Sequence, residues 1–448
     1  MSSTTRAAER LLAAGLNAAE AERKARLFDA AEKRLEGASR GEPDLARWFV
    51  PGRIEVLGKH TDYAGGRSLL CAVERGFCVA ARPRPDRVVR VTDAVLDVEA
   101  RLSLTDDASA PEEGSWTAYP AGVVRSVARD FPGLLRGADI AIASDLPRSA
   151  GLSSGSALVV AIFSVLAHVS ALEEHAAYRA NIHGAVDLAG YLGAVENGLS
   201  FGSLAGDRGV GTFGGSEDHT AMLCCRAGML SQHSFRPVRL EREVVLPADW
   251  TFVVASSGVT AEKSGAARDR YNRLSLAASA IFKFWRGAGG PGETLGQAAR
   301  QPGAPDRIRE VLSESTHPLF TPQELLDRFE QFLLESETVV PAAAEAVAAA
   351  DAYALGDIAA QSQMGAERYL GNQIPETIGL VASARALGAL AASAFGAGFG
   401  GSVWSLVERE QAERFRVAWQ DSYRRSFPNA AASSEFFMTS AGPGRLRL

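Results

Sequence analysis

The rhythm of apolar and polar positions changes several times along the chain. Residues 4–38 are rich in Ala, Leu, Glu and Arg, with apolar side chains at helical spacing, which predicts one or two amphipathic helices. From residue 47 the texture becomes β-like: residues 50–57 and 69–81 are largely apolar, and residues 87–104 alternate as strands of a sheet do. Residues 116–127 predict a helix, 138–143 a strand, and 153–171 and 181–197 two further helices. After a glycine-dense loop over 199–215, the short apolar runs 220–225 and 250–256 predict strands. The second half is mainly helical, over 266–285, 322–350, 352–369 and 376–387. It closes with a glycine loop, a strand over 402–408, a helix over 411–426 and a strand over 435–439.

Mixed strands and clustered helices in both halves predict an α+β chain of two domains, with a site in the cleft between them. The boundaries expected are a helical extension over 1–40, one domain over 41–225 and a second over 226–448. At 448 residues the chain is long enough for two or three domains and a sizeable core. A net charge of −6 gives no support for a nucleic-acid partner and directs attention to small anionic molecules held at local positive sites. The apolar run at 158–169 is broken by Ser164 and His168 and is too short to span a bilayer, and the charged first forty residues contain no signal-like apolar stretch. Cys71, Cys78, Cys224 and Cys225 lack metal-ligand spacing and read as free thiols, which fits a reducing cytoplasm.

Four segments carry chemistry. Pro51-Gly-Arg-Ile-Glu-Val-Leu-Gly-Lys-His-Thr-Asp-Tyr63 sets Arg53, Glu55, Lys59, His60 and Asp62 beside a predicted strand. Residues 147–157 form a loop of small residues between a strand and a helix, suited to bringing backbone N–H groups and a helix N-terminus to an anion. One serine is enough to cap a helix; Ser153, Ser154 and Ser156 supply three, so phosphate binding is the stronger reading. Gly214-Gly-Ser-Glu-Asp-His219 is acidic, and Gly396-Ala-Gly-Phe-Gly-Gly401 is a second glycine loop. The latter matches G-x-G-x-x-G, but a strand follows where a dinucleotide fold needs a helix. The stretch from Gly52 to His60 is near a Walker A loop but has five residues between its glycines and lacks the magnesium-binding Ser or Thr.

In order and spacing these segments resemble the GHMP kinases, and within them the galactokinases. The family pattern P-G-R-x-N-x-I-G-E-H-x-D-Y corresponds to residues 51–63, P-x-x-x-G-L-S-S-S-A to 147–156, G-I-M-D-Q to 215–219 and G-G-G-F-G-G to 396–401. Trp116-Thr-Ala-Tyr119, Lys263-Ser264 with Tyr271, and Pro375-Glu376 are weaker echoes. The resemblance implies a two-domain fold, ribosomal protein S5 domain 2-like in its N-terminal part and ferredoxin-like in its C-terminal part. It implies transfer of the γ-phosphoryl of ATP to the anomeric hydroxyl of a sugar, galactose by default, with Mg²⁺. Asp218 falls at the family's proposed base and Arg53 at its catalytic arginine. Lys59, His60, Asp62 and Tyr271 fall at sugar-contacting positions. Gly151, Leu152, Ser153, Ser154, Gly155, Ser156 and Ala157 fall at the ATP loop; Glu196 matches a carboxylate that binds magnesium in some relatives, and Ser154 or Ser156 stands ready to replace the magnesium-binding serine absent at Gly155.

The departures open alternatives. Lys59 stands for a glutamate that meets the sugar's 6-hydroxyl, and Glu55 for an asparagine. A lysine there would suit a C6 carboxylate, as in galacturonate or glucuronate; equally, Lys59 would pair with Glu55 or another carboxylate and leave the pocket neutral. Gly155 stands for a serine that ligates magnesium, a change also expected of a non-catalytic ATP and sugar sensor. The loop over 200–211 is an insertion, readable as a lid or as a surface excursion. Oligomeric state has no signal in the sequence.

Overall fold

The computed structural model describes residues 3–35, 45–105, 115–133, 135–147, 151–259 and 265–448, with side chains omitted at 3–5 and 265–267. The expected boundary at residue 40, Lys263-Ser264 and residues 148–150 of the serine loop lie outside these.

The first sheet contains β1 (Ala46–Leu57), β2 (Arg67–Pro83), β3 (Val88–Asp93), β4 (Val98–Ser103), β5 (Ala138–Ser144), β6 (Met229–Ser234) and β7 (Arg239–Val245). A second sheet contains β8 (Trp250–Ser256), β9 (Ala391–Phe395), β10 (Ser402–Glu408) and β11 (Glu435–Thr439), in the order β11-β8-β10-β9. The chain then returns to the first sheet as β12 (Ala441–Gly442) beside β2 and β13 (Leu446–Arg447) beside β1. The first sheet therefore runs β13-β1-β2-β5-β3-β4, with β6 also on β2 and β7 on β6; among the described residues only the β3–β5 pairing is parallel.

The division expected at 225/226 falls within this sheet. The hairpin β6–β7 belongs to it because Leu230 and Val244 insert into the same core as Ile54 and Val73. Sequence reading passed over this hairpin because β7 is mostly exposed and presents no clean alternation. A second correction concerns residues 220–225, expected as a strand. All but Cys225 lie in the helix Glu217–Cys224, whose first turn carries Glu217 and Asp218. Acidic residues suit a helix N-terminus, and Ala221 and Met222 are buried on one side of it.

The helix Ser154–Val169 is apolar almost throughout and is buried against β1, β2 and β5. The helix Ala18–Leu35 covers the opposite side of the sheet, setting Phe28 against Phe49 and Cys78, and Ala31 and Leu35 against Ala80, Ala141 and Ala143. Helices Pro375–Ala386 and Ala412–Ser426 cover one face of the second sheet through Leu380, Val381, Phe415 and Trp419. The other face, with Phe252, Trp404 and Phe437, joins the main core. A third cluster of helices closes over Tyr63 and Ala64.

The helical run expected over 322–350 is Pro322–Leu333 and Val340–Ala348 joined by a π-turn, Leu334–Val339. Pro341 accounts for the turn: it has no N–H to donate, and its ring would clash with a regular preceding turn. The π-turn directs Glu335 and Ser336 inward, both fully buried. All four cysteines are free. Among the described residues, no helix is long and apolar enough to cross a membrane.

Candidate active site

One cavity of about 710 Å³ is lined by Arg53, Glu55, His60 and Asp62 from the first motif, Gly151 to Ser156 (without Leu152) from the serine loop, Glu196, Gly214 to His219 (without Ser216), Tyr271, and Gly396 and Ala397. All four sequence segments thus meet at one place.

Arg53 and Glu55 lie two residues apart on β1, so both face the cavity while Ile54 and Val56 enter the core. Arg53 Nε donates to Asp218 Oδ1 at 2.7 Å, and Nη1 donates to the Gly151 carbonyl at 2.7 Å. Glu217 Oε1 lies 3.9 Å from Nε. Burial works against the Arg53 charge, but Asp218, Glu217 and Glu55 together outweigh it and hold the guanidinium more firmly cationic than usual. Ser156 Oγ donates to the other Asp218 oxygen at 3.1 Å. The pair is therefore tied to both glycine loops: Arg53 holds the serine loop, and a Cβ on Gly396 would sit 3.0 Å from the Gly151 carbonyl. With φ of 79°, Gly396 takes a conformation that also favours glycine.

Asp62 Oδ1 accepts the Tyr63 N–H at 2.8 Å and Oδ2 the Glu217 N–H at 3.1 Å. Burial raises its pKa despite these bonds. A Cβ on Gly215 would fall 2.3 Å from Asp62 Oδ2, so the glycine lets the two segments touch. His60 sits in the left-handed region at φ 59°, held by Tyr63 Oη at 3.1 Å from Nδ1 and the Ala397 carbonyl at 3.1 Å from Nε2. Arg328 donates to Tyr63 Oη, so the phenol donates to Nδ1 and Nε2–H donates to Ala397. The Tyr271 ring lies 5.3 Å from His60, and burial lifts its phenol well above the ordinary range.

Ser153, Ser154, Gly155 and Ser156 face the cavity at the start of the long helix; Leu152 and Ala157 are buried behind them in the core. Ser153 takes φ 59°, which turns the chain sharply into the helix. Gly155 has a packing cause. A Cβ there would lie 2.3 Å from Tyr119 Cε1 and 2.8 Å from its hydroxyl, so the ring occupies the space a serine would need. Gly155→Ser should cost about 1–3 kcal/mol by overpacking, most of it recovered in Tyr119→Ala. Unfolding midpoints for the four proteins of this double-mutant cycle test it; equal costs in both backgrounds would show that the serine is accommodated freely.

Glu196 is buried at the end of the helix Ala185–Asn197, with a carboxylate oxygen 3.2 Å from His219 Nε2. Ser154, Ser156 and Glu196 offer oxygen donors to one cavity, a donor set that suits Mg²⁺ when substrate phosphates complete its shell. Among the described residues no group of three or more His, Cys, Asp or Glu could hold a metal, so such an ion would depend on those phosphates.

The loop over 200–211 is an anchored wall. Asp207 accepts from Arg125 at 2.6 Å, Phe201 packs on Gly190 and Tyr191, and Val210 reaches the cavity. Asn197 ties its exit down, accepting the Gly214 N–H at 2.7 Å and donating to the Gly215 carbonyl at 2.9 Å.

Lys59 is not part of the cavity lining. It is 1% exposed, donates to Ser362 Oγ at 2.5 Å and Ser393 Oγ at 2.9 Å, and lies 3.8 Å from Glu335 Oε1. The expectation that it contacts the sugar is corrected. A carboxylate delivered by the π-turn draws the ammonium into the helical layer, and the uronate reading loses its motive. Two buried carboxylates outside the expected site set are among the residues that face the cavity. Glu217 accepts from Ser68 Oγ at 2.7 Å, and burial, then Glu55 and Asp62, push its pKa well up. Glu55 is described below. Both stand inside motifs already singled out, and only the direction of their side chains was missing.

Comparison with known proteins agrees with this assembly. Residues 37–83 match the galactokinase galactose-binding signature, 118–196 the GHMP kinase N-terminal domain and 343–425 the GHMP kinase C-terminal domain. The chain is 33% identical over 381 residues to a galactokinase of Roseiflexus sp. (strain RS-1), covering 84% of this chain and 86% of that one. It is 32% identical over 392 residues to a galactokinase of Chloroflexus aggregans, covering 86% and 89%. The fold matches that of Lactococcus lactis galactokinase complexed with galactose, with a TM-score of 0.76 at 19% identity over 94% of this chain and 100% of that one. Identity of this extent across most of both sequences, with all three family signatures in order, means that the chain belongs to the galactokinase family of GHMP kinases.

Proposed function

We propose that the protein is an ATP-dependent galactose 1-kinase. The single observation that carries this reading is the Arg53–Asp218 pair, 2.7 Å apart, at the junction of the two glycine loops and the galactose-binding signature. The two ends of the cavity differ in character. Phe77, Val95, Leu96, Val98, Trp116 and Ile142 give an apolar end suited to a flat base. His60, Asp62, Tyr271, Gly215 and Asp218 give a polar end suited to a polyol.

In the reaction a bond forms between the sugar's anomeric oxygen and the γ-phosphorus. The bond from that phosphorus to the β–γ bridging oxygen breaks, ADP leaves, and the hydroxyl proton passes to the Asp218 carboxylate. Arg53 orients that carboxylate, and its charge lies where negative charge accumulates in transfer. The start of the helix at Ser154 and the N–H groups of the serine loop hold phosphate oxygens. Ser154, Ser156 and Glu196 would hold Mg²⁺, which supplies charge neutralisation at the β- and γ-phosphates.

A coupled assay of ADP release tests the reading across galactose, glucose, galacturonate and glucuronate, with phosphorus NMR identifying the product. Galactose should lead, with the uronates at least about ten-fold lower, because Glu55, Asp62, Glu217 and Asp218 already crowd the sugar end with carboxyl groups and would repel another. A uronate preferred over galactose, or ADP release independent of sugar, would overturn it.

A further inference from the structure

Glu55 presents an acceptor that none of the described residues uses. Its side chain is 3% exposed and lines the cavity beside Arg53, His60 and Asp62. Oε2 accepts the Gly396 N–H at 2.8 Å, whereas Oε1 is buried with no hydrogen-bond partner among the described residues. Neighbouring carboxylates are already engaged. Asp62 accepts two backbone N–H groups, Asp218 accepts from Arg53 and Ser156, and Glu217 accepts from Ser68. A buried acceptor left without a donor is costly, and such an atom facing a binding cavity is ordinarily met by a ligand.

The sequence adds an independent reason. The family pattern has an acceptor, glutamate, at position 59 and an asparagine at 55; here the carboxylate stands at 55 and a lysine at 59. Lys59 turns out of the cavity onto Ser362, Ser393 and Glu335 and offers no acceptor. The two substitutions are complementary: one removes a carboxylate from the sugar end and the other introduces one on the strand that carries Arg53. Burial lifts the Glu55 pKa to about 7, with Arg53 and Lys59 pulling it down and Glu335 pushing it up.

We propose that Glu55 is a sugar-binding, specificity-determining residue whose Oε1 takes a hydrogen bond from a sugar hydroxyl, the role that position 59 has in the family pattern. The proposal rests on the galactose-kinase reading above. Glu55→Gln is the sharp test. Its carbonyl stays on the Gly396 N–H, so the amide NH₂ faces the cavity and an acceptor becomes a donor.

The experiment compares kcat/KM for galactose and its 2-, 3-, 4- and 6-deoxy analogues between wild type and Glu55→Gln. In wild type, one analogue should lose about 10- to 100-fold beyond the others, because its missing hydroxyl leaves Oε1 bare. In Glu55→Gln that excess should fall to within about three-fold. KM for galactose should rise about ten-fold and KM for ATP change less than about two-fold. Glu55→Asn, the family's own residue, is one methylene shorter, draws the side-chain end back from the cavity and must show the same collapse; it decides the matter should the glutamine variant fold poorly. Analogue penalties that match in wild type and variants at every position overturn the proposal while leaving the kinase reading intact. A wild type that transfers no phosphate to galactose overturns the reading, and this proposal with it.

Discussion

Asp218→Asn should lower kcat by about 10²-fold or more while leaving KM for ATP within a few-fold, the size expected for loss of a general base. The geometry explains why the effect falls on turnover. Asp218 Oδ1 receives Arg53 Nε at 2.7 Å and Oδ2 receives Ser156 Oγ at 3.1 Å, so the carboxylate is fixed in place by two donors. An asparagine is the same shape but offers an NH₂ group to one of those donors. One contact is lost, and no oxygen remains that can take up a proton. The serine loop stays, because Arg53 Nη1 still holds the Gly151 carbonyl. Steady-state kinetics with ATP and galactose varied separately make the check. Turnover within a few-fold of wild type would remove Asp218 from the chemistry and reduce its pairing with Arg53 to a structural ion pair.

What the sequence disclosed depended on how local each determinant is. The first motif could be set beside a strand because residues 50–57 are largely apolar, but that Arg53 and Glu55 share the cavity face while Ile54 and Val56 enter the core shows only in the fold. The serine loop was readable because a strand, a run of small residues and an apolar helix are contiguous. The short helix Glu217–Cys224 was not: an apolar run of five or six residues is too brief for its period to show. Its acidic first turn was the available signal. The hairpin β6–β7 escaped because strand-like alternation is weak in β7. The direction of Lys59 was beyond reach. It is set by Ser362 and Ser393, 303 and 334 positions away, and by a glutamate on a π-turn that no local pattern announces. The same holds for Gly155, whose cause is the Tyr119 ring. Local sequence located the motifs; long-range packing decided which of their side chains face the ligand.

Lys59→Glu restores the family's residue, and it should destabilise the protein instead of sharpening its preference for galactose. Lys59 and Glu335 are 1% and 0% exposed, with Nζ 3.8 Å from Oε1. Glu335 also accepts the Gly58 N–H at 3.0 Å and a hydrogen bond from Ser362, so its carboxylate is held in place. Gly58 packs closely on β2, where an added Cβ would lie 2.5 Å from Ser68 Cα. A glutamate at 59 would therefore bring two buried carboxylates together without a cation. One of them must take up a proton, and losing one partner of a buried ion pair costs about 3–5 kcal/mol. Lys59→Met should show a similar loss, since it also strands Glu335. Lys59→Met combined with Glu335→Gln should recover much of it, because removing both charges leaves neither unpaired. Unfolding midpoints of the three variants measure this, alongside the ratio of kcat/KM for galactose over galacturonate in whatever remains folded. That ratio should stay within about three-fold of wild type, as the side chain does not line the cavity. A Lys59→Glu protein as stable as wild type, with a ten-fold gain for galactose, would return Lys59 to the sugar site and displace Glu55 from it.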